Sequence, residues 1–334
     1  MNILITGATG FLGQHVLGAL RRRCPDAAVW LLVRNAASWR QAPHSAAYPE
    51  VRLIEAPLTD ERAILAALAG QKLGGILHLA ATVHHSRRHS ADTFRANVDG
   101  TAAMVRLACA HGARLVFVST SGTVGCSPSP MAAPDEQAPF CEQEVRRWPY
   151  YASKIAAEQL MLKAQEQGEL DGVILRPPVM LGPGDHRFRA TSLIVRFLRG
   201  RLPFYLTGGM HFVDIRDVAQ ALVEALTHPK PRPIYHLPGA AMPLKDYFAQ
   251  LEQVSGVPAP RFPLPYPLAL AVAYGSGGKF FDPVVIEMGH RHWGLSSRYA
   301  PELGFAPRAP RTTLQETVSW LRSAHPALRP GVAG

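Results

Sequence analysis

The stretch ILITGATGFLG, residues 3–13, runs an aliphatic segment straight into three evenly spaced glycines, Gly7, Gly10 and Gly13. A tight strand-to-helix turn needs one glycine. Three of them, after the β-type run 2–6 and before the amphipathic run 14–23, ask for a further reason. Glycines placed this way let the backbone approach a pyrophosphate at the positive end of the following helix. The spacing therefore predicts a dinucleotide-binding strand–turn–helix unit.

Working outward from that unit, apolar runs at 29–33, 51–54, 75–80, 114–119 and 172–175 read as strands, and the patterns at 64–68 and 96–111 as helices. Strand and helix in alternation predict a parallel sheet covered on both faces. The expected fold class is α/β: a doubly wound, Rossmann-type parallel sheet over residues 1–175 that binds NAD(P). Residues 176–334 are then mainly a smaller, partly interleaved C-terminal substrate-binding lobe, with some segments returning to the sheet. Helices are expected there at 218–226 and 244–254, and 258–267 is proline-rich.

The 334 residues, 47% hydrophobic and 18% charged, suffice for the core of one large domain or two interleaved lobes. A formal charge of +10 suits an anionic ligand. The lysines and arginines are scattered, however, without a basic stripe interleaved with aromatics, so no nucleic-acid partner is expected. Strand-type residues beginning at Ile3 leave no room for a secretory signal, which predicts a cytoplasmic protein. The most apolar later run, 268–274, is far shorter than the roughly 20 residues that cross a bilayer. No transmembrane segment is expected, and a peripheral membrane contact is left open. Cys24, Cys109, Cys126 and Cys141 show no C-x-x-C spacing and no paired histidine motif, which predicts neither a disulfide framework nor a metal site. The cluster HHSRRHS at 84–90 lacks the carboxylates or thiols of a metal site. It reads as a solvated or loop-capping segment, with His84 or His85 against a substrate pocket as the alternative.

Two further features carry chemistry. About twenty residues beyond the glycines, at the end of the second strand, a cofactor without a 2′-phosphate is held by an acidic residue. LLVRN places Arg34 there, whose guanidinium fork suits a phosphate, so NADP(H) is favoured and NAD(H) is the alternative. In PYYASK, residues 149–154, Tyr150 lies four positions before Lys154 and Tyr151 three. On a helix of about 3.6 residues per turn both come near the lysine, and the geometry leans to Tyr150.

TGATGFLG, HLAA at 78–81, Asn97 in NVDGT, VSTSGTVG at 118–125, PYYASKIAAE, LRPPVMLGPGD and FVDIRDVAQAL together resemble the extended short-chain dehydrogenase/reductase family, within the NAD-dependent epimerase/dehydratase superfamily. The likeness spans most of the chain. LVRN and FVSTSGTV bring it nearest in character to the dihydroflavonol reductases and 3β-hydroxysteroid dehydrogenases.

The family's Y-x-x-x-K motif maps onto Tyr150 and Lys154, which implies Tyr150 as general acid/base. Lys154 would hold the nicotinamide ribose and lower a tyrosine pKa that is ordinarily about 10. The family's S-S/T-x-x-x-V pattern implies Thr120 as the hydroxyl that orients the substrate oxygen, with Ser121 as the fallback. Implied cofactor contacts are Gly7, Thr9, Gly10, Phe11, Leu12, Gly13, Leu79, Ala80, Ala81, Val118, Pro177 and Val179, besides Arg34, Tyr150 and Lys154. One triplet departs from the family: where GDL is usual, Ala56-Pro57-Leu58 stands, so the adenine is expected to rest on Leu58. Asn97 is implied to be structural or part of a proton path, outside the catalytic set. Asp214 and Asp217 read as the cap and first-turn charge of the next helix. The resemblance also allows a homodimer through the helices containing 96–111 and 150–163.

The expected activity is hydride transfer between NADP(H) and a ketone or secondary alcohol. Phe204, Tyr205, Phe262, Tyr266, Tyr274, Phe280 and Phe281 suggest a large apolar substrate such as a steroid-, polyketide- or flavonoid-like or long-chain ketone. A nucleotide-sugar epimerase or dehydratase with tightly held NAD is the first alternative. A non-catalytic NADP(H)-binding regulator is the second.

Overall fold

The computed structural model describes residues 1–130, 132–277 and 282–329, so Phe280 and Phe281 lie outside the described residues. In chain order the first part runs β1 (Asn2–Thr6), α1 (Phe11–Arg23), β2 (Ala28–Val33), α2 (Ala36–Arg40), β3 (Arg52–Glu55), α3 (Glu61–Leu68), β4 (Gly75–His78), α4 (Ser90–Phe94) and α5 (Gly100–His111). It continues through β5 (Arg114–Val118), β6 (Cys126–Ser127), α6 (Glu142–Val145), α7 (Pro149–Glu166) and β7 (Gly172–Arg176). The later part comprises β8 (Val179–Leu181), α8 (Ser192–Leu198), β9 (Phe204–Tyr205), β10 (Gly209–Asp214), α9 (Ile215–Thr227), β11 (Ile234–His236), β12 (Ala240–Pro243) and α10 (Leu244–Ser255). It closes with β13 (Phe262–Pro263), α11 (Tyr266–Gly275), α12 (Pro283–Gly289), β14 (His292–Trp293) and α13 (Pro310–Ala324).

Seven parallel strands form the main sheet in the order β11-β7-β5-β4-β1-β2-β3. The five inner strands carry apolar runs, ILI in β1, VWLLV in β2, GIL in β4, LVFV in β5 and GVIL in β7, because both faces are covered. On one face Ile3, Ile5, Leu77, Val116 and Leu175 pack against α1 and α9; on the other Leu4, Ile76, Leu115 and Ile174 pack against α3, α5 and α7. The single helix expected over 96–111 is two pieces. A π-helical turn at Arg95–Asp99 precedes α5 and carries the buried Asn97.

A second, smaller core unites β8, α8, β10, α10 and α13 around Phe197, Phe212, Tyr247, Phe248 and Leu314. Sequence reading overlooked β10 and β11, and these two strands explain the interleaving. β10 belongs to a three-stranded sheet with β8 and β12, yet it leads directly into α9 on the main sheet. Asp214 caps that junction by accepting the Arg216 N–H at 3.0 Å, and Asp217 in the first turn accepts the Arg308 N–H at 2.7 Å.

The apolar residues of the later half fall differently from expectation. Phe204, Phe262, Tyr266 and Tyr274 are exposed instead of lining an interior pocket. Helix α11 buries only its small residues Ala269 and Ala273, with Leu270 half-buried beside them, and leaves Tyr266, Leu268, Val272 and Tyr274 exposed.

Candidate active site

Because all seven strands run the same way, their C-terminal ends share one edge, and the chain departs in opposite directions from β1 and β4. The crevice at that switch point collects most of the residues singled out above. Gly7 has φ +76°, and a Cβ there would lie 2.7 Å from the Ala80 nitrogen, so the turn abuts Leu79-Ala80. At Gly13 a Cβ would meet the Ala8 carbonyl at 2.4 Å, which seats α1 against the turn. Gly10 caps α1 with no side-chain hydrogen bond, so the first N–H groups of the helix face the crevice. Thr9 and Phe11 are half-buried at this turn, while the Leu12 side chain is buried in the core and offers the crevice only its backbone. Thr6 Oγ1 accepts the Ala80 N–H at 3.1 Å and bonds His78 Nδ1 at 2.8 Å, locking β1 to the end of β4. Ala81 is half-buried just beyond.

Arg34 stands exposed at the end of β2, with no hydrogen bond or ion pair to any other described residue. The adjacent strand end carries Glu55, opposite Val33, whose carboxylate accepts the Ala36 N–H at 3.2 Å. Leu58 is half-buried against the start of α5, within 3.0 Å of where a Gly100 Cβ would be.

Across the crevice, α7 brings Tyr150 and Lys154 to the end of β5. Lys154 is buried, and its Nζ donates to the Val118 carbonyl at 2.7 Å and sits 4.3 Å from the centre of the Phe117 ring. Burial pulls its pKa down to about 7, with Glu158 pulling the other way. The Tyr150 hydroxyl is pushed up to about 12 by burial, opposed by a hydrogen bond from Thr120. Thr120 is half-buried and opens a short 3₁₀ turn in which Ser121 is buried, the Ser121 N–H donating to Pro177 at 2.8 Å. Thr120, Tyr150, Lys154, Val118 and Pro177 thus share one end of the crevice. Val179 is exposed one strand further out.

The structure distinguishes the two tyrosines more sharply than helical spacing does. Tyr151 presses on Gly122, where any Cβ would lie 2.1 Å from its ring, and stacks on Trp293 with ring centres 5.4 Å apart. It is a packing residue, buried in a cluster with Trp148 and Val284 against which Met288 rests. His85 reaches both tyrosines, its ring centre 6.0 Å from that of Tyr150, and its Nδ1 is buried without a hydrogen-bond partner among the described residues. Burial lowers the His85 pKa, which keeps the ring neutral. His84 is exposed and pairs instead with His89.

Behind α7 lies a buried polar network that the sequence did not reveal. Glu158, one turn after Lys154, binds the Ser119 hydroxyl and pairs with Arg176, whose Nε lies 2.9 Å from Glu158 Oε2. Arg176 also reaches His236 Nε2 at 3.1 Å, and the His236 N–H donates to Glu136 at 3.1 Å. Asn97 belongs to a second bridge: it exchanges hydrogen bonds with Thr82 and donates to Ser153, which donates to the Tyr150 carbonyl. Glu158 stands four residues after Lys154, a spacing visible in the sequence, but its partners come from other strands.

Comparison with known proteins follows the same outline. The family model described as the NAD dependent epimerase/dehydratase family matches residues 3–237. A 2-alkyl-3-oxoalkanoate reductase of Stenotrophomonas maltophilia is 32% identical over 81% of this chain and 76% of its own. A dTDP-glucose 4,6-dehydratase of Streptomyces antibioticus is 30% identical over 96% of this chain and 92% of its own. The crystal structure of gox2253 superposes with a TM-score of 0.79 at 27% identity, covering 97% of this chain and 98% of that one.

Proposed function

The chain belongs to the NAD-dependent epimerase/dehydratase family, and from that premise we propose that it is an NADP(H)-dependent ketone reductase or secondary-alcohol dehydrogenase for an apolar small molecule. The observation that carries the proposal is the convergence of Thr120, Tyr150 and Lys154 at one end of the crevice. The residues present suit the nucleotide. Gly7 and Gly13 bring the turn to its closest approach, the start of α1 is uncapped, and Arg34 is unpaired for a 2′-phosphate.

When bound, the nicotinamide supplies or takes the hydride. The residues of the chain manage the oxygen and its proton. Tyr150, held as the neutral phenol near pH 7, donates its proton to the carbonyl oxygen in reduction, and Thr120 orients that oxygen and then the phenolate. The Val118 carbonyl, the Phe117 ring face and Glu158 favour the ammonium of Lys154 against burial, one helical turn from Tyr150, while Thr120 is the group that favours the phenolate. His85, whose buried Nδ1 has no hydrogen-bond partner among the described residues, packs beside Tyr150 and shapes the surroundings of its ring. The buried apolar cluster of Tyr151, Trp148, Trp293, Val284 and Met288 packs against Tyr150 and surrounds it with apolar groups, which supports an apolar partner, as does similarity to a reductase of alkyl oxoalkanoates.

Likeness to a dTDP-glucose dehydratase over nearly the whole chain supports a nucleotide-sugar reading as the rival. Against it, the two residues after Thr120 are Ser121 and Gly122, so this turn offers no carboxylate for an elimination of water.

The test is titration with NADPH and NADH, followed by turnover of lipophilic ketones against nucleotide sugars. The expected result is NADPH-dependent ketone reduction, with Tyr150→Phe lowering the rate by about 10² to 10⁴ while NADPH affinity is kept. Tightly held NAD with sugar-nucleotide turnover sinks the proposal.

A further inference from the structure

Helix α11 is apolar all round. Residues 262–278 contain no charged side chain, and Arg261 and Lys279 bracket them in the sequence. A buried core helix has this composition, yet Leu268 is 54% exposed, Val272 46% and Tyr274 57%. The patch extends sideways onto the β9–β13 pair, where Phe262, 66% exposed, lies in register with the exposed Phe204. Other exposed large apolar residues, such as Leu65 and Leu160, lie singly along the chain, whereas six are gathered in the α11 and β9–β13 segments, and such a concentration marks an interaction site.

The rim of the patch is basic. Arg87 links its edge to a surface recess of about 350 Å³ lined by Arg87, Ser90, Phe94, Arg146, Arg147 and Pro149. It donates to the Tyr274 hydroxyl at 3.5 Å and to the Arg147 carbonyl at 3.1 Å. Glu287 neutralises Arg87 with both carboxylate oxygens, but the side chains of Arg146 and Arg147 are exposed and meet no carboxylate among the described residues. Apolar and aromatic side chains beside unpaired arginines, on a chain of formal charge +10, match the boundary of an anionic bilayer. There the rings and aliphatic groups enter the headgroup layer while the arginines meet lipid phosphates.

We propose that α11 with the β9–β13 pair forms a peripheral docking surface for an anionic lipid bilayer, with Arg146 and Arg147 as its headgroup contacts. No helix among the described residues is long and apolar enough to cross a membrane, so the contact lies in the interface. The apolar part of the surface is set apart from Tyr150, which Arg146 and Arg147 precede by four and three residues. Helix α12 stands between, contacting α11 on one side and placing Val284 against the Tyr151 cluster on the other.

The experiment is flotation of the full chain with pure phosphatidylcholine vesicles and with mixed phosphatidylcholine–phosphatidylglycerol vesicles, alongside the mass of the free protein by light scattering. The expected result is binding to the mixed vesicles and little to the neutral ones. Leu268→Glu with Val272→Glu should weaken binding by at least roughly tenfold, and Arg146→Gln or Arg147→Gln by about fivefold each, all with unchanged NADPH affinity. Should the double glutamate variant fail to fold by circular dichroism, Leu268→Ser carries the same test. Absence of vesicle binding, binding indifferent to these substitutions, or equal binding to neutral vesicles overturns the proposal. So does a dimer that the Leu268 substitution converts to monomer, since a second copy would then cover the patch. Vesicle binding is read without turnover, so its failure leaves the reductase proposal untouched.

Discussion

On the cofactor side proposed above, the groups facing the crevice are backbone N–H groups of the β1–α1 turn and, at the end of β2, a solvent-facing Arg34 with no hydrogen bond or ion pair among the described residues. Where α7 meets the crevice, they are buried side chains already bound to one another: Lys154 to Val118, Glu158 to Ser119 and Arg176, Ser153 to Asn97. The difference follows from what each side must do. A nucleotide brings its own charges and needs a surface to meet them, so the cradle can stay open and unpaired until it binds. A proton donor needs its neighbours fixed before the substrate arrives, because a pKa depends on groups within a few ångströms. Burial supplies that fixity, and each buried charge must then be paired.

Breaking the paired side should have the largest effect. Arg176 and Glu158 are nearly inaccessible to solvent, so Arg176→Met leaves Glu158 charged, buried and short of its principal partner. A loss of about 3–5 kcal/mol in urea unfolding is expected, and replacing both residues by apolar ones should recover part of it. The same change loosens Glu158, the partner of Ser119 next to Thr120, so the folded fraction should also show a lowered kcat with KM for NADPH little altered. A loss below about 1 kcal/mol, the range of exposed ion pairs, would mean the network is far more hydrated than its geometry says.

The open side yields a smaller and more specific effect. Arg34→Ala should weaken NADPH binding by about 10- to 100-fold, equivalent to roughly 1.5–3 kcal/mol for charge-assisted hydrogen bonds. NADH affinity and thermal stability should stay nearly unchanged, since Arg34 supports no other residue. Equal loss for both nucleotides in parallel titrations would remove Arg34 from the 2′-phosphate and leave the neighbouring Glu55 to hold ribose hydroxyls.

This contrast also explains what the sequence made legible. The glycine triplet, Arg34 and the Tyr150–Lys154 spacing act through backbone or through a fixed helical period, so their meaning is written locally. Arg176, His236 and Glu136 come together only because β7 and β11 are neighbours in the sheet, and β11 is three residues long with little pattern of its own. Nothing local marks them as partners of Glu158. The exposed helix α11 shows the opposite failure. Its composition is evident from the sequence, but composition does not say which way a uniformly apolar helix faces, and the small residues Ala269 and Ala273 decide that. Helical spacing alone leaves Tyr151 beside Tyr150, and the family motif chooses between them; Gly122 beneath the Tyr151 ring gives the physical distinction.

The smallest predicted effect, counted per pH unit, reads the paired side by pH. Lys154 titrates near 7 in the folded chain against an ordinary value of 10.5, because burial disfavours the ammonium more than Glu158 restores it. Between those values the unfolded chain binds a proton that the native chain lacks, so the stability of the cofactor-free protein should rise with pH across that window. The slope is about 1.4 kcal/mol per pH unit, and it vanishes below pH about 7, where both states are protonated. Other groups titrate in the same range, so the informative quantity is the difference between wild type and Lys154→Met, which should lack this slope. NADPH should flatten the wild-type slope as well, since an anionic nucleotide beside Lys154 favours the ammonium. Parallel stability curves for the two proteins would show Lys154 charged throughout. The Val118 carbonyl and the Phe117 ring would then outweigh burial, and the proton side of the crevice would be as ready before binding as after it.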